Sequence, residues 1–161
     1  MLDCGSFSKC LAPGYRVGWV AAGKHAAAVA RRKFMSSIST PVPNQMALAA
    51  YLRQGGFDRH LKSLRRTLAA QQAAALKSLH KHLPADCQIT QPAGGYFLWI
   101  ELPEREDAIA VFHRALERGV SIAPGPIFSA RREFRNCLRL NHGYPWTAEM
   151  DGAVQRLARS I

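Results

Sequence analysis

Acidic residues are scarce in this chain: 11 Asp and Glu stand against 22 Lys and Arg over 161 residues, for a formal net charge of +11. Such a surplus suits an acidic partner such as nucleic acid. The cations form no single block, however. Arg31-Arg32-Lys33 and Arg59, Lys62, Arg65 and Arg66 recur at helical spacing, as on a solvated face. No aromatic interleaving or recognition motif accompanies them, so the surplus is expected to be that of a piece whose acidic counterpart lies elsewhere in a longer chain. Cysteines are few and unpaired. Cys4, Cys10, Cys87 and Cys137 make no Cys-x-x-Cys and have no His at ligand spacing, which argues against zinc and for reduced thiols. An apolar run of about 18 residues and a secretory leader pattern are also missing, so a cytoplasmic location without membrane insertion is expected. Internal repeats and low-complexity segments are absent as well.

What is present is the composition of a folded core. Hydrophobic residues make up 48% and charged residues 20%, which excludes a disordered chain, and the length suits one domain or one and a half small ones. Arg16 to Ala22, apolar and nearly unalternated, reads as a buried strand. Lys24 to Met35 reads as a helix, Ser36 to Pro43 as a connection, and Asn44 to Arg53 as a helix stopped by Gly55-Gly56. From Phe57 to Leu83 the leucines at 61, 64, 68, 76, 79 and 83 hold helical period, predicting one long helix ended by Pro84. Such a helix often bridges two domains. Strands are expected at Cys87 to Thr90, Tyr96 to Leu102, Val120 to Ala123 and Cys137 to Asn141. A helix over Ala108 to Arg118 would turn Ile109, Phe112 and Leu116 inward. Thr147 can cap a final helix with Met150, Val154 and Leu157 on one face.

Chemistry gathers in Cys4 to Trp19. Ser6, Ser8 and Arg16 are what a phosphate dianion requires: small hydroxyl donors from a turn, and a planar guanidinium that grips two oxygens at once. Lys9 lies between them, and a lysine amine attacks a carbonyl once burial or a neighbouring cation depresses its pKa. A lysine beside a phosphate binder suggests a Schiff base with a phosphorylated aldehyde, for which pyridoxal phosphate is the common biological case. The competing reading is a surface lysine on a Ser/Gly turn.

Ser6-Phe7-Ser8-Lys9, followed by Ala12-Pro13-Gly14-Tyr15-Arg16-Val17-Gly18-Trp19, resembles the lysine loop of class I/II, fold-type I aminotransferases. It is most similar to that of the aminotransferase-like domain of MocR-subfamily, GntR-type bacterial regulators. Gly56-Phe57-Asp58-Arg59-His60-Leu61, Pro92-Ala93-Gly94-Gly95-Tyr96-Phe97-Leu98-Trp99, Pro124-Gly125-Pro126-Ile127-Phe128 and Leu138-Arg139-Leu140-Asn141-His142-Gly143-Tyr144-Pro145-Trp146 follow in the family's order. The resemblance implies an α/β fold, the C-terminal part of the aspartate-aminotransferase-like architecture. Residues 1–55 would be the trailing part of the cofactor-binding large domain. Residues 56–161 would be the bridging helix and a small α/β domain with a mostly antiparallel sheet.

The same resemblance implies roles. Lys9 would carry pyridoxal 5'-phosphate as a Schiff base, Ser6 and Arg16 would ligate its phosphate, and Ser8 would assist or hold the turn through a local bond. Arg139, a cation in an apolar strand, needs an anion; the family uses its equivalent for the α-carboxylate of an amino acid or related ligand, the alternative being an ion pair with Glu101. His60 and His142 are expected to be structural, as a lone histidine on a helix or loop usually is at the surface or in a cap, and neither has a partner at catalytic spacing. The aspartate against the pyridine nitrogen, the ring stacked on the cofactor and the winged-helix module all precede the lysine loop in the family, so this chain alone is expected to be an incomplete enzyme. The function expected is that of a fragment of a GntR/MocR-type regulator. It would be homodimeric and would reach DNA only through a module outside this sequence. The alternatives are a fragment of a cytosolic class I/II aminotransferase and a small-domain remnant that only binds or dimerises.

Overall fold

The computed structural model describes residues 1–161. It divides into two compact units, Met1–Leu64 and Arg65–Ile161, the division falling within a single long helix.

The first unit is built on a hairpin. Strands β1 (Asp3–Ser6) and β2 (Gly18–Ala21) pair antiparallel, with Gly5 opposite Trp19 and Ser6 opposite Gly18. A Cβ on Gly5 would lie 2.5 Å from the Trp19 indole, so a side chain there would displace that exposed ring. Helices α1 (Ala26–Ser37) and α2 (Val42–Arg53) follow, and Pro43 is tolerated because the first turn of a helix has no carbonyl partner for its missing N–H. The expected buried strand over Arg16 to Ala22 is not found. The strand begins at Gly18, all four of its residues are exposed, and only Ala22 just beyond it is buried. Its sheet has only two strands, so an apolar sequence that suits a sheet interior is left on the surface. Buried side chains in this unit are limited to Ala22 and Leu48.

Helix α3 (Phe57–His82) matches the leucine period closely, with Leu68, Ala75 and Leu79 buried. In the second unit it packs on a four-stranded antiparallel sheet in the order β3 (Gln88–Ile89), β4 (Phe97–Glu101), β6 (Cys137–Asn141), β5 (Ala123–Pro124). Strand β5 is shorter and later than Val120 to Ala123, since Ala123 and Pro124 are the residues that pair with Arg139 and Leu138. Helices α4 (Ala108–Glu117) and α5 (Ala148–Ala158) complete the core, in which Leu79, Leu98, Ile100, Leu138, Val111 and Leu157 meet. The inward face of α4 differs from expectation. Ala108, Val111 and Ala115 are buried, while Ile109 and Leu116 are 39% and 51% exposed. Small residues let the helix axis approach the sheet closely, and the bulkier side chains are turned out.

Both helices are capped. Asp107 accepts from the backbone N–H of Ile109 and Ala110, and Thr147 accepts from Met150 N at 3.4 Å. Helix α5 is also tied to α3: Ser78 Oγ donates to Asp151 Oδ1 at 2.5 Å, and His82 Nε2 lies 3.2 Å from Asp151 Oδ2. These bonds, the Ser78 one first, hold the Asp151 carboxyl below its ordinary range.

Candidate functional site

The hairpin of the first unit presents Ser6, Ser8, Lys9 and Arg16 in one loop. Phe7 N donates to Val17 O at 3.1 Å and closes the loop, and the Phe7 carbonyl accepts from Leu11 N and Ala12 N, winding residues 7–11 into a tight turn. Lys9 lies at the centre of this turn and is exposed. Ser6 Oγ accepts from Ser8 N at 3.1 Å. Arg16 Nη1 donates to Ser8 Oγ at 3.2 Å and approaches Pro13 O at 3.5 Å. Ser6 Oγ thus holds the turn here, and Ser8 is the hydroxyl that meets the guanidinium. Ser6, Ser8 and Arg16 converge.

Arg16 occupies an unusual backbone state, φ 54 and ψ 39, at the end of the single helical turn Pro13–Tyr15. A non-glycine residue in the left-handed region costs about 1 kcal/mol, and such strain persists where the surroundings impose it. Two side chains supply that constraint. Asn44 Nδ2 donates to Tyr15 O at 2.9 Å from α2, and His60 Nε2 lies 3.0 Å from Cys10 O from α3. His60 is thus neither a surface residue nor a cap but a brace on the loop. Phe7 adds an edge-on contact with Phe57, ring centroids 6.3 Å apart. The sequence singled out the four chemical residues but missed these braces, which only chain folding brings to the loop.

The donor set fits a phosphate. The guanidinium of Arg16 reaches the Ser8 hydroxyl, the Ser6 hydroxyl is bonded to the Ser8 amide beside it, no carboxylate pairs with Arg16, and the only acid before Asp58 is Asp3, placed in β1 opposite Ala21. A dianion entering there would replace the Arg16–Ser8 bond with charge-assisted ones.

Arg139 belongs to the second unit. Register puts it opposite Trp99 on β4 and opposite Ala123 on β5, on the sheet face away from the Leu98, Ile100 and Leu138 core. No ion pair with Glu101 or any other acid forms. Instead its Cζ lies 4.2 Å from the Phe97 ring centroid and 4.1 Å from that of Phe128. Trp99 packs edge-on against Phe128 and Phe134, at 5.9 and 5.5 Å. A cavity of ≈ 620 Å³ reaches Arg139 together with Phe97, Ala123 and Asn141. An arginine half-buried among aromatic rings with no acid beside it is equipped to take an anion. Phe97 and Phe128 were not foreseen as chemical residues of the site, although the alternation of Phe97 and Trp99 on β4 held a signal for Phe97.

His142, one residue beyond β6, is fully buried, and neither ring nitrogen has a hydrogen-bond partner. Burial pushes its pKa down, so the ring is held neutral. His142 is thus structural, but as a buried ring and not at the surface or in a cap. Burial, first among the causes, pushes the Cys87 and Cys137 thiols up. No helix is long and apolar enough to cross a membrane.

Comparison with known proteins agrees with this geometry. The profile of aminotransferase class I and II matches residues 1–157. Among curated relatives, the uncharacterized HTH-type transcriptional regulator YdcR of Escherichia coli (strain K12) is 45% identical over all of this chain and 34% of its own length. Aromatic-amino-acid aminotransferase 1 of Thermococcus litoralis is 34% identical over 98% of this chain and 38% of its own. The solved structure of LysN, an alpha-aminoadipate aminotransferase from Thermus thermophilus complexed with N-(5'-phosphopyridoxyl)-L-leucine, superposes with a TM-score of 0.90 at 36% identity, covering 99% of this chain and 41% of that one. The chain therefore spans between a third and a half of the length of these proteins, and its α/β fold is part of theirs. With the lysine loop, the fold and the profile in agreement, this chain belongs to the class I and II aminotransferases, a family whose cofactor is pyridoxal phosphate, and its relatives include regulators of the GntR/MocR type.

Proposed function

We propose that this chain is part of the pyridoxal-phosphate-binding domain of a GntR/MocR-type transcriptional regulator, attached to the cofactor through a Schiff base on Lys9 and taking an amino-acid-like carboxylate on Arg139. The observation that carries this reading is the convergence of Ser6, Ser8 and Arg16 beside Lys9 in an acid-free loop, with Arg16 held in a strained conformation. Arg16 and Ser8 donate to phosphate oxygens, Ser6 keeps the turn closed, and Lys9 Nζ offers the amine. Arg139 receives the ligand carboxylate through its in-plane N–H groups. The bound cofactor supplies an electron sink for charge on the adjacent carbon. Ligand binding biases an attached DNA-binding module by as much as its affinity differs between the two arrangements of that module. The exposed Trp19, Val20, Phe34, Met35 and Ile38 of the first unit support self-association into a homodimer.

The test is titration of the chain with pyridoxal phosphate, borohydride trapping and mass spectrometry, alongside Lys9→Ala. Label confined to Lys9 and lost in the variant is the expected result; label scattered over many lysines overturns it. A second reading, an aminotransferase rather than a sensor, is favoured by the identity to the Thermococcus and Thermus enzymes. On the full-length protein the two diverge: a regulator shows DNA binding that responds to an amino acid, and an enzyme shows turnover with a 2-oxo acid acceptor and no DNA binding.

A further inference from the structure

The surroundings of Arg139 specify how an anion must approach it. Its guanidinium carbon lies 4.2 Å from the Phe97 ring centroid and 4.1 Å from that of Phe128, both well inside the range of about 6 Å over which a ring attracts a cation. A guanidinium has two faces, and at that distance one face has room for one ring. With both faces taken, the N–H donors, which all point outward in the plane, are left at the rim. Along the sheet Arg139 has Trp99 as its neighbour on one strand and the small Ala123 on the other, and the ≈ 620 Å³ cavity is lined by both Arg139 and Ala123.

We infer that Phe97 and Phe128 form a clamp that makes the Arg139 site selective for planar carboxylates over tetrahedral anions, with Phe128 as its positioning residue. This rests on the reading of Arg139 as a carboxylate anchor. A carboxylate places both oxygens in the guanidinium plane and makes two parallel N–H···O bonds. A phosphonate or sulfonate can place only two oxygens there; the remaining one projects out of plane into a ring. Phe128 matters most because it is delivered by a loop, the turn Gly125–Phe128, rather than by the strand itself. That loop is fixed by close packing: a Cβ on Gly125 would collide with the Phe134 carbonyl oxygen, and Phe134 and Phe128 both abut Trp99. The clamp depends on side chains far apart in sequence, joined through one aromatic cluster.

The experiment uses the whole chain, labelled with ¹⁵N-arginine, with acetate and methylphosphonate as probes and the Nε–H resonance of Arg139, assigned through Arg139→Gln, as the signal. Pyridoxal phosphate is left out. Acetate is expected to shift the resonance, and methylphosphonate to bind at least about fivefold more weakly despite its larger charge. Phe128→Leu, at a position 40% exposed and outside the core, should weaken acetate about fivefold and erase the preference, and Phe128→Tyr, which keeps the ring, should restore both. If acetate binds but Phe128→Leu binds it as tightly, or if methylphosphonate competes equally, the clamp is overturned and the carboxylate anchor stands. If acetate leaves the resonance of the wild-type chain unmoved, the anchor is overturned and the clamp with it, while Lys9 labelling is untouched by either result.

Discussion

At the scale of single residues, Arg16 combines backbone strain with the charge a phosphate needs. Glycine would relax that backbone, because φ 54 carries no penalty without a Cβ, so Arg16→Gly should leave the chain equally or more stable while weakening phosphate binding. Pyridoxal phosphate titration read beside denaturant unfolding checks this, with affinity expected to fall about tenfold for loss of a charge-assisted bond. His142 gives the second residue-level prediction. Burial depresses its pKa below the unfolded value near 6.5, so below that value the unfolded chain binds the extra proton and the folded chain does not. Its contribution is present above about pH 6.5 and is lost as pH falls through the folded value. The denaturant midpoint of the second unit should therefore drop on acidification from about pH 7 to 5, and His142→Leu should flatten that slope. Asp107 and Asp151, both held below the ordinary carboxylate range, lose their contributions only in a separate window below about pH 4.

Elements follow rules that composition conveys unevenly. The long helix was legible end to end because leucines repeat on one face over many turns, and β6 was legible because its apolar run is bounded by Asn136 and His142. Strand β5 was not, since two residues ending in a proline that cannot donate leave almost no pattern to read. The inward face of α4 was misjudged for a related reason: hydrophobicity ranks Ile109 and Leu116 above Ala108 and Ala115, yet closeness of packing decides which are buried. In the site, Arg139 was legible as a charge in an apolar strand, whereas Phe128 joins it only through a distant loop. Cap chemistry yields a prediction here. Asp107 accepts from two backbone amides at the start of α4, so Asp107→Ala should cost about 1 kcal/mol in urea unfolding, mostly unchanged in slope. Leu79→Ala, at a fully buried position on α3, should cost about 2–5 kcal/mol by the same measurement.

At the scale of the whole molecule the two units differ in kind. One has a continuous core of thirteen buried residues drawn from three helices, the sheet and the connections at Leu83, Leu102 and Val120. The other buries Ala22 and Leu48 and exposes Phe34, Met35, Ile38, Val42 and Met46, at 58–79% for all five. Amides of β4 and β6 should accordingly resist hydrogen exchange far longer than those of α1 and α2, a contrast that mass spectrometry of the intact chain reads directly. The apolar surface also predicts association: sedimentation should show mass increasing with protein concentration, and a monomer at every concentration would count against the proposed dimer.

The placement of tryptophan turns this division into an optical instrument. Trp19, 49% exposed, lies across Gly5 in the hairpin that holds the lysine loop, while Trp99 touches Phe128, one of the two rings against Arg139, and Phe134. With Trp146 replaced by Phe, fluorescence of Trp19→Phe and Trp99→Phe variants would isolate each unit in turn. Quenching of Trp19 by added cofactor and a shift of Trp99 by added carboxylate would then be followed as two colours of the same titration, without any attached label.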